Sequence, residues 1–125
     1  MQELIKEFMQ QKKFAIVGAS DNPLKFGNRI VKNLKARGYA VFPVNPRLKE
    51  VEGLVCYKRL ADIPVAIDVV DFVVPPAVTE EVLKECFELG IQRIWLQPGS
   101  ESTVAINYCY QKGLKIVHNA CVLIN

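Results

Sequence analysis

The 125-residue chain has one histidine, one tryptophan and no CxxC pair. Cys56, Cys86, Cys109 and Cys121 stand far apart, and His118 alone cannot complete a Cys/His set at metal-finger spacing. No metal site is expected, and reduced thiols are the simplest reading of the cysteines. No apolar run approaches the ~20 residues that span a bilayer. The opening MQELIKEFMQQKK mixes charges of both signs and lacks the apolar centre of a signal peptide. A cytoplasmic protein with no membrane partner is therefore expected. Nucleic acid is disfavoured too, because the basic residues are not clustered with aromatics and none of the usual motifs occurs.

What remains is an ordinary globular balance, 50% apolar and 23% charged, in a length that suits one domain over residues 1–125. Charge is uneven. Residues 1–62 carry 12 Lys+Arg against 6 Asp+Glu, and residues 63–125 carry 4 against 7. The basic first half suits an anionic ligand, and scattered solvated charge is the plain alternative.

Hydrophobic spacing predicts helices over 2–11, 26–37, about 78–87 and 101–112, with Val104, Ala105, Tyr108 and Cys109 inward on the last. Strands are predicted at 14–18, 39–45, 66–75, 93–97 and 115–117, with a short one at LVCY (54–57) and a helical turn at 59–64. Near-continuous apolar runs such as Val69, Val70, Phe72, Val73 and Val74 belong to strands covered on both faces. Pro43 lacks a donor, so its strand is expected to tolerate one missing ladder bond or to run near an edge there. The alternation predicts a doubly wound, mainly parallel sheet of about five or six strands, Rossmann-like, with helices on both faces.

In such a sheet ligands sit beyond the carboxyl ends of the strands, where strand order reverses. The first strand-to-helix turn reads GASDNPLKFGN. Gly18 and Gly27 are nine positions apart, not the five of the dinucleotide fingerprint, and Ser20 stands at the middle glycine. The elements of anion binding are present even so: Gly18 for the turn, the Ser20 hydroxyl, the Lys25 charge, and a helix opening at Gly27 and Asn28. The plain alternative is that both glycines serve chain geometry alone. After the next strand comes Val44-Asn45-Pro46-Arg47-Leu48-Lys49, with no carboxylate until Glu50. That counts against NAD, whose ribose wants an acidic partner, and fits NADP or the 3′-phosphate of coenzyme A; an exposed loop with two ordinary solvated cations is the plain alternative.

GAS…KFGN, VFPVNPR, VVPP, WLQPG and a late cysteine occur here in order. Together they resemble the small stand-alone coenzyme A-binding proteins, which are similar to the N-terminal domain of the succinyl-CoA synthetase α subunit. The resemblance runs from Phe14 to about Cys121. It implies that a diphosphate lies against Gly18, Ala19, Ser20, Phe26, Gly27 and Asn28, with Lys25 nearby. It implies a ribose phosphate at Asn45, Pro46, Arg47 and Lys49, and an apolar wall at Val74, Pro75 and Pro76. Gln97, Pro98 and Gly99 would flank the loop after the 93–97 strand. Trp95 reads as core.

The synthetase's phosphorylated histidine lies in a second domain, so its ligase chemistry does not carry over to a chain whose only histidine is His118. Cys121 is a candidate for disulfide exchange with a CoA thiol, with a small core residue as the commoner alternative. Asp68 and Asp71 suit capping or edge roles. The expectation is a non-catalytic module for coenzyme A or a short acyl-CoA, acting as carrier, sensor or accessory subunit. An NADP-dependent reductase subunit and a regulatory module without ligand are the alternatives. The amphipathic N-terminal helix could pack on its own sheet or on a second copy in a homodimer.

Overall fold

The computed structural model describes residues 1–125. In chain order the elements are α1 (Gln2–Met9), β1 (Lys13–Val17), α2 (Phe26–Ala36), β2 (Ala40–Val44), β3 (Glu50–Val51), β4 (Leu54–Val55) and a 3-10 turn at Leu60–Asp62. Then follow β5 (Val69–Phe72), α3 (Pro76–Glu88), β6 (Arg93–Leu96), α4 (Thr103–Gln111), β7 (Lys115–Val117) and a last 3-10 turn at Val122–Ile124. Five strands make one parallel sheet in the order β2-β1-β5-β6-β7. The fold is a Rossmann-like α/β domain. The chain runs outward from β1 to β2 and returns to the other side of β1 at β5, so the reversal lies between β1 and β5.

The short strand expected at 54–57 does not join this sheet. Leu54 and Val55 pair with Glu50 and Val51 in a separate antiparallel hairpin, and only an isolated bridge links Tyr57 to Val44. β2 is an edge strand, which accommodates Pro43. β5 sits at the centre, and all four of its residues are buried.

Period-two alternation splits the sheet's side chains between two cores. Phe14, Ile16, Val69 and Trp95 face α1 and α2, where they meet Phe8, Ile30 and Leu34. Ala15, Val70, Phe72, Ile94 and Leu96 face α3 and α4, where they meet Leu83, Cys86 and Cys109. α1 packs on its own sheet: Phe8 lies edge-on to Trp95 at 6.1 Å, and Glu7 pairs with Arg93 and Lys115 at 2.9 Å each. On α4, Ala105 and Cys109 are inward as expected, but Val104 is 62% exposed. Its helix needs only a narrow apolar stripe against the sheet, and Val104 lies outside it.

Asp68 accepts from the N–H groups of Lys12 and Lys13 and so caps the entry to β1. Asp71 departs from its expected edge role. It stands mid-way along the central strand, fully buried, with Ile16 and Trp95 as its neighbours across the ladder.

Candidate functional site

The first loop follows from two close approaches. Gly18 has φ +96°, and a Cβ there would lie 2.2 Å from the carbonyl oxygen of Val73. A Cβ on Gly27 would lie 2.1 Å from the carbonyl oxygen of Gly18. The loop thus folds back until the start of α2 touches the end of β1, and both contacts demand glycine. Asn22 organises the turn between them, accepting from Leu24 N–H through its side chain and from Lys25 N–H through its carbonyl.

Side chains then fix the loop from beneath. Asn28 is fully buried, and its amide donates to Ser20 O at 3.0 Å and to Glu52 at 2.9 Å. Its own N–H donates to Lys25 O. Asn28 therefore braces the loop and presents no free backbone donor at the helix opening. Asn45 does similar work: its amide donates to Ala19 O at 2.8 Å, and its Oδ1 accepts from Arg47 N–H at 2.9 Å. The Ser20 hydroxyl accepts from Asn22 N–H. The N–H groups of Ala19, Ser20, Asp21, Phe26 and Gly27 have no acceptor in the protein. Ala19, Ser20, Phe26 and Gly27 border a small cavity of about 400 Å³ that is also lined by Leu24, Lys25 and Val73.

A larger cavity of about 750 Å³ adjoins it, and the two share Gly18 and Asn45. This cavity opens at the reversal between β1 and β5, beyond the carboxyl ends of the strands. Its apolar walls include Val44, Pro46, Leu60, Val74, Pro75 and Val82. Its rim carries Arg47, Lys58 and Arg59 against Glu81 and Glu85. Arg47 and Lys58 are exposed and make no ion pair, while Arg59 Nη2 meets Glu85 Oε2 at 2.9 Å. That partner raises the pKa of the Arg59 guanidinium above its ordinary value. The size is that of a cofactor site, and apolar walls with a few placed charges are its usual lining.

Among the residues singled out in the sequence, Gly18, Asn45, Pro46, Arg47, Val74 and Pro75 line the larger cavity. Gly18, Ala19, Ser20, Lys25, Phe26, Gly27 and Asn45 line the smaller. Asn28 lies beneath the loop, Pro76 opens α3, and neither Lys49 nor Pro98 nor Gly99 borders either cavity. Gln97 points inward, where its amide donates to Asp71 Oδ1 at 2.6 Å and its Oε1 accepts from Val122 N–H at 3.1 Å. Lys58, Arg59 and the α3 residues Val78, Glu81, Val82 and Glu85 escaped the sequence reading. The signal was available for α3: the helix after Pro75 had to lie against the reversal, so its outward turn faced the cavity. Ser100 escaped as well; its hydroxyl accepts from Val74 N–H at 3.0 Å and ties the two loops together.

Below the site, burial dominates the titrating groups. Asp71 is lifted from 3.8 to about 8, chiefly by desolvation, with the Gln97 bond opposing it. Its Oδ2 has no protein partner, which a protonated carboxyl tolerates better than a carboxylate. Burial raises the thiols of Cys56 and Cys86 as well, and pushes Cys109 up to about 12. These three thiols are buried, and Cys121 is half-buried near the chain end. No helix is long and apolar enough to cross a membrane.

Comparison with known proteins adds a family to this geometry. A family model described as a CoA binding domain matches residues 12–125. The α subunit of an ADP-forming acetate–CoA ligase II of Pyrococcus furiosus is 30% identical over 95% of this chain, which spans 28% of that subunit. An ADP-forming acetate–CoA ligase of Methanocaldococcus jannaschii is 39% identical over 70% of the chain, which covers 12% of it. Among solved structures, a hypothetical protein of Pyrococcus horikoshii superposes with a TM-score of 0.93 at 36% identity, covering 98% of this chain and 87% of that one. With its first loop, its cavity at the reversal and a family match over nearly its whole length, the chain belongs to the CoA-binding domain family.

Proposed function

We propose that the chain binds coenzyme A or a short acyl-CoA without catalysing its chemistry, as a carrier, sensor or accessory module. One observation carries the reading. Unpaired N–H groups at the first loop and the α2 opening adjoin an apolar cavity rimmed by Arg47, Lys58 and Arg59. That arrangement suits a diphosphate at the backbone amides, a nucleoside against the apolar wall and a ribose phosphate at the cations. Membership of the family and the likeness to a ligase α subunit support the same ligand class.

The chain's own residues bind and orient in this reading. Gly18 and Gly27 let the backbone close on the diphosphate, Asn28 and Asn45 hold the loop, and Val74 and Pro75 pack on the ligand. No acid–base role is assigned: Asp71 is fully buried and Cys56, Cys86 and Cys109 are buried thiols. Acyl transfer would fall to a partner protein.

Isothermal titration with CoA, dephospho-CoA, acetyl-CoA and NADPH tests the proposal. CoA should bind roughly tenfold or more tightly than dephospho-CoA, because a charge-assisted hydrogen bond contributes about 1.5–3 kcal/mol. Arg47→Ala should narrow that gap. Binding of NADPH but not CoA would establish the reductase alternative instead, and binding of neither would leave a module without nucleotide.

A further inference from the structure

We infer that Glu85 sets how strongly the larger cavity prefers a ligand carrying an extra phosphate, by occupying Arg59. The inference rests on the CoA reading above.

Three cations and two carboxylates rim the cavity. They are not equivalent. Arg47 and Lys58 have no ion-pair partner, whereas Arg59 reaches across from the segment before Leu60 to Glu85 on α3. The two ends of that pair also differ: the Arg59 side chain is 69% exposed and that of Glu85 only 20%. Glu85 is the fixed member, seated on a helix one residue from the buried Cys86. Arg59 is the more exposed member, and its single bond to Glu85 uses one of five N–H donors.

A phosphate entering the rim meets a guanidinium already held by a carboxylate. It must share Arg59 with Glu85, at the cost of two anions lying close together, or draw it away. Either way Glu85 weakens the phosphate's hold. A ligand without that phosphate never contends for Arg59 and is indifferent to the pair. Glu81 lines the same cavity and carries the same charge, but makes no bond to Arg59. It reports the general field of a carboxylate without the pairing.

The experiment is a titration of CoA and dephospho-CoA into four variants at fixed ionic strength. Glu85→Gln should tighten CoA by about threefold or more, the scale of an exposed ion pair, and leave dephospho-CoA within about twofold. Arg59→Ala should bring CoA toward dephospho-CoA. The double variant Arg59→Ala/Glu85→Gln should match Arg59→Ala, because the effect of Glu85 passes through Arg59. Glu81→Gln should shift the ratio of the two affinities by less than Glu85→Gln, by the general field alone. An unaltered ratio in Glu85→Gln, or a full gain that survives in the double variant, overturns the inference while CoA binding itself stands. Failure of the wild-type chain to bind CoA overturns the functional reading, and the inference falls with it.

Discussion

Asp71→Asn isolates the electrostatics of the central strand. Burial lifts the Asp71 carboxyl from 3.8 to about 8, so the folded chain holds a proton that the unfolded chain has released. The native state then binds more protons than the unfolded state between these values. Stability contributed by the group is complete below pH 3.8 and is lost as pH rises toward 8. One pKa unit corresponds to about 1.4 kcal/mol, so the window of about four units sets a ceiling near 6 kcal/mol. Asparagine keeps an acceptor for Gln97 Nε2 and does not titrate. Its amide places donors where Oδ2 has no partner, and this costs about 1–3 kcal/mol at every pH. Only the pH-dependent part therefore tests the reasoning.

Trp95, fully buried and the sole tryptophan, gives a fluorescence signal for urea unfolding. The stability of the variant minus that of the wild type should rise by at least about 2 kcal/mol between about pH 4.5 and pH 8. Carboxylates elsewhere act in both proteins and cancel in the difference. A difference flat to within about 0.5 kcal/mol would mean that Asp71 does not change protonation on unfolding in this range, and would refute the burial argument.

Two further outcomes follow from the same packing. Gly18→Ala should lose roughly 2–4 kcal/mol in urea melts, because alanine is strained at φ +96° and its Cβ would press on the Val73 carbonyl; a loss under about 1 kcal/mol would show that the loop relaxes freely. In an Ellman titration of the native protein Cys121 should react promptly, while Cys56, Cys86 and Cys109 should wait for denaturant; rapid reaction of all four would contradict the buried placement.

Much of the fold was legible because its elements carry strong local signals. The apolar run at Val69–Phe72 marks a strand covered on both faces, and Pro43 marks an edge. Of the hairpin β3–β4 only the second strand was legible, within LVCY: the strands are two residues each, and the pairing is set by the turn at Glu52 and Gly53, both with positive φ. The cavity was half legible. Loop residues follow the reversal rule, so Gly18, Asn45 and Arg47 could be placed from chain order. Lys58 and Arg59 could not, because they reach the cavity only when the segment after the hairpin folds over α3, where Arg59 meets Glu85. Asn28 and Asn45 stood out in the sequence as candidate ligand contacts, but their bracing was not visible there, since nothing in spacing reveals that their side chains turn to Ser20 and Ala19.

The packing of the loop on itself limits how the site can be tested. Gly18 and Gly27 are required by contacts of the chain with itself, so replacing either perturbs the loop whether or not a phosphate binds there. Yet those same contacts hold the unpaired amides of Ala19, Ser20, Phe26 and Gly27 along one small cavity. Geometry and ligand are not competing explanations of the glycines, because the close approach that excludes a Cβ is what gathers the donors. Loop substitutions cannot separate the two, and proline, which would remove a backbone N–H, also fixes φ and so disturbs the loop. The ligand must be varied instead. Trimming CoA from its phosphate end, its diphosphate and its thiol arm in turn leaves the protein untouched and assigns each loss of affinity to one part of the crevice.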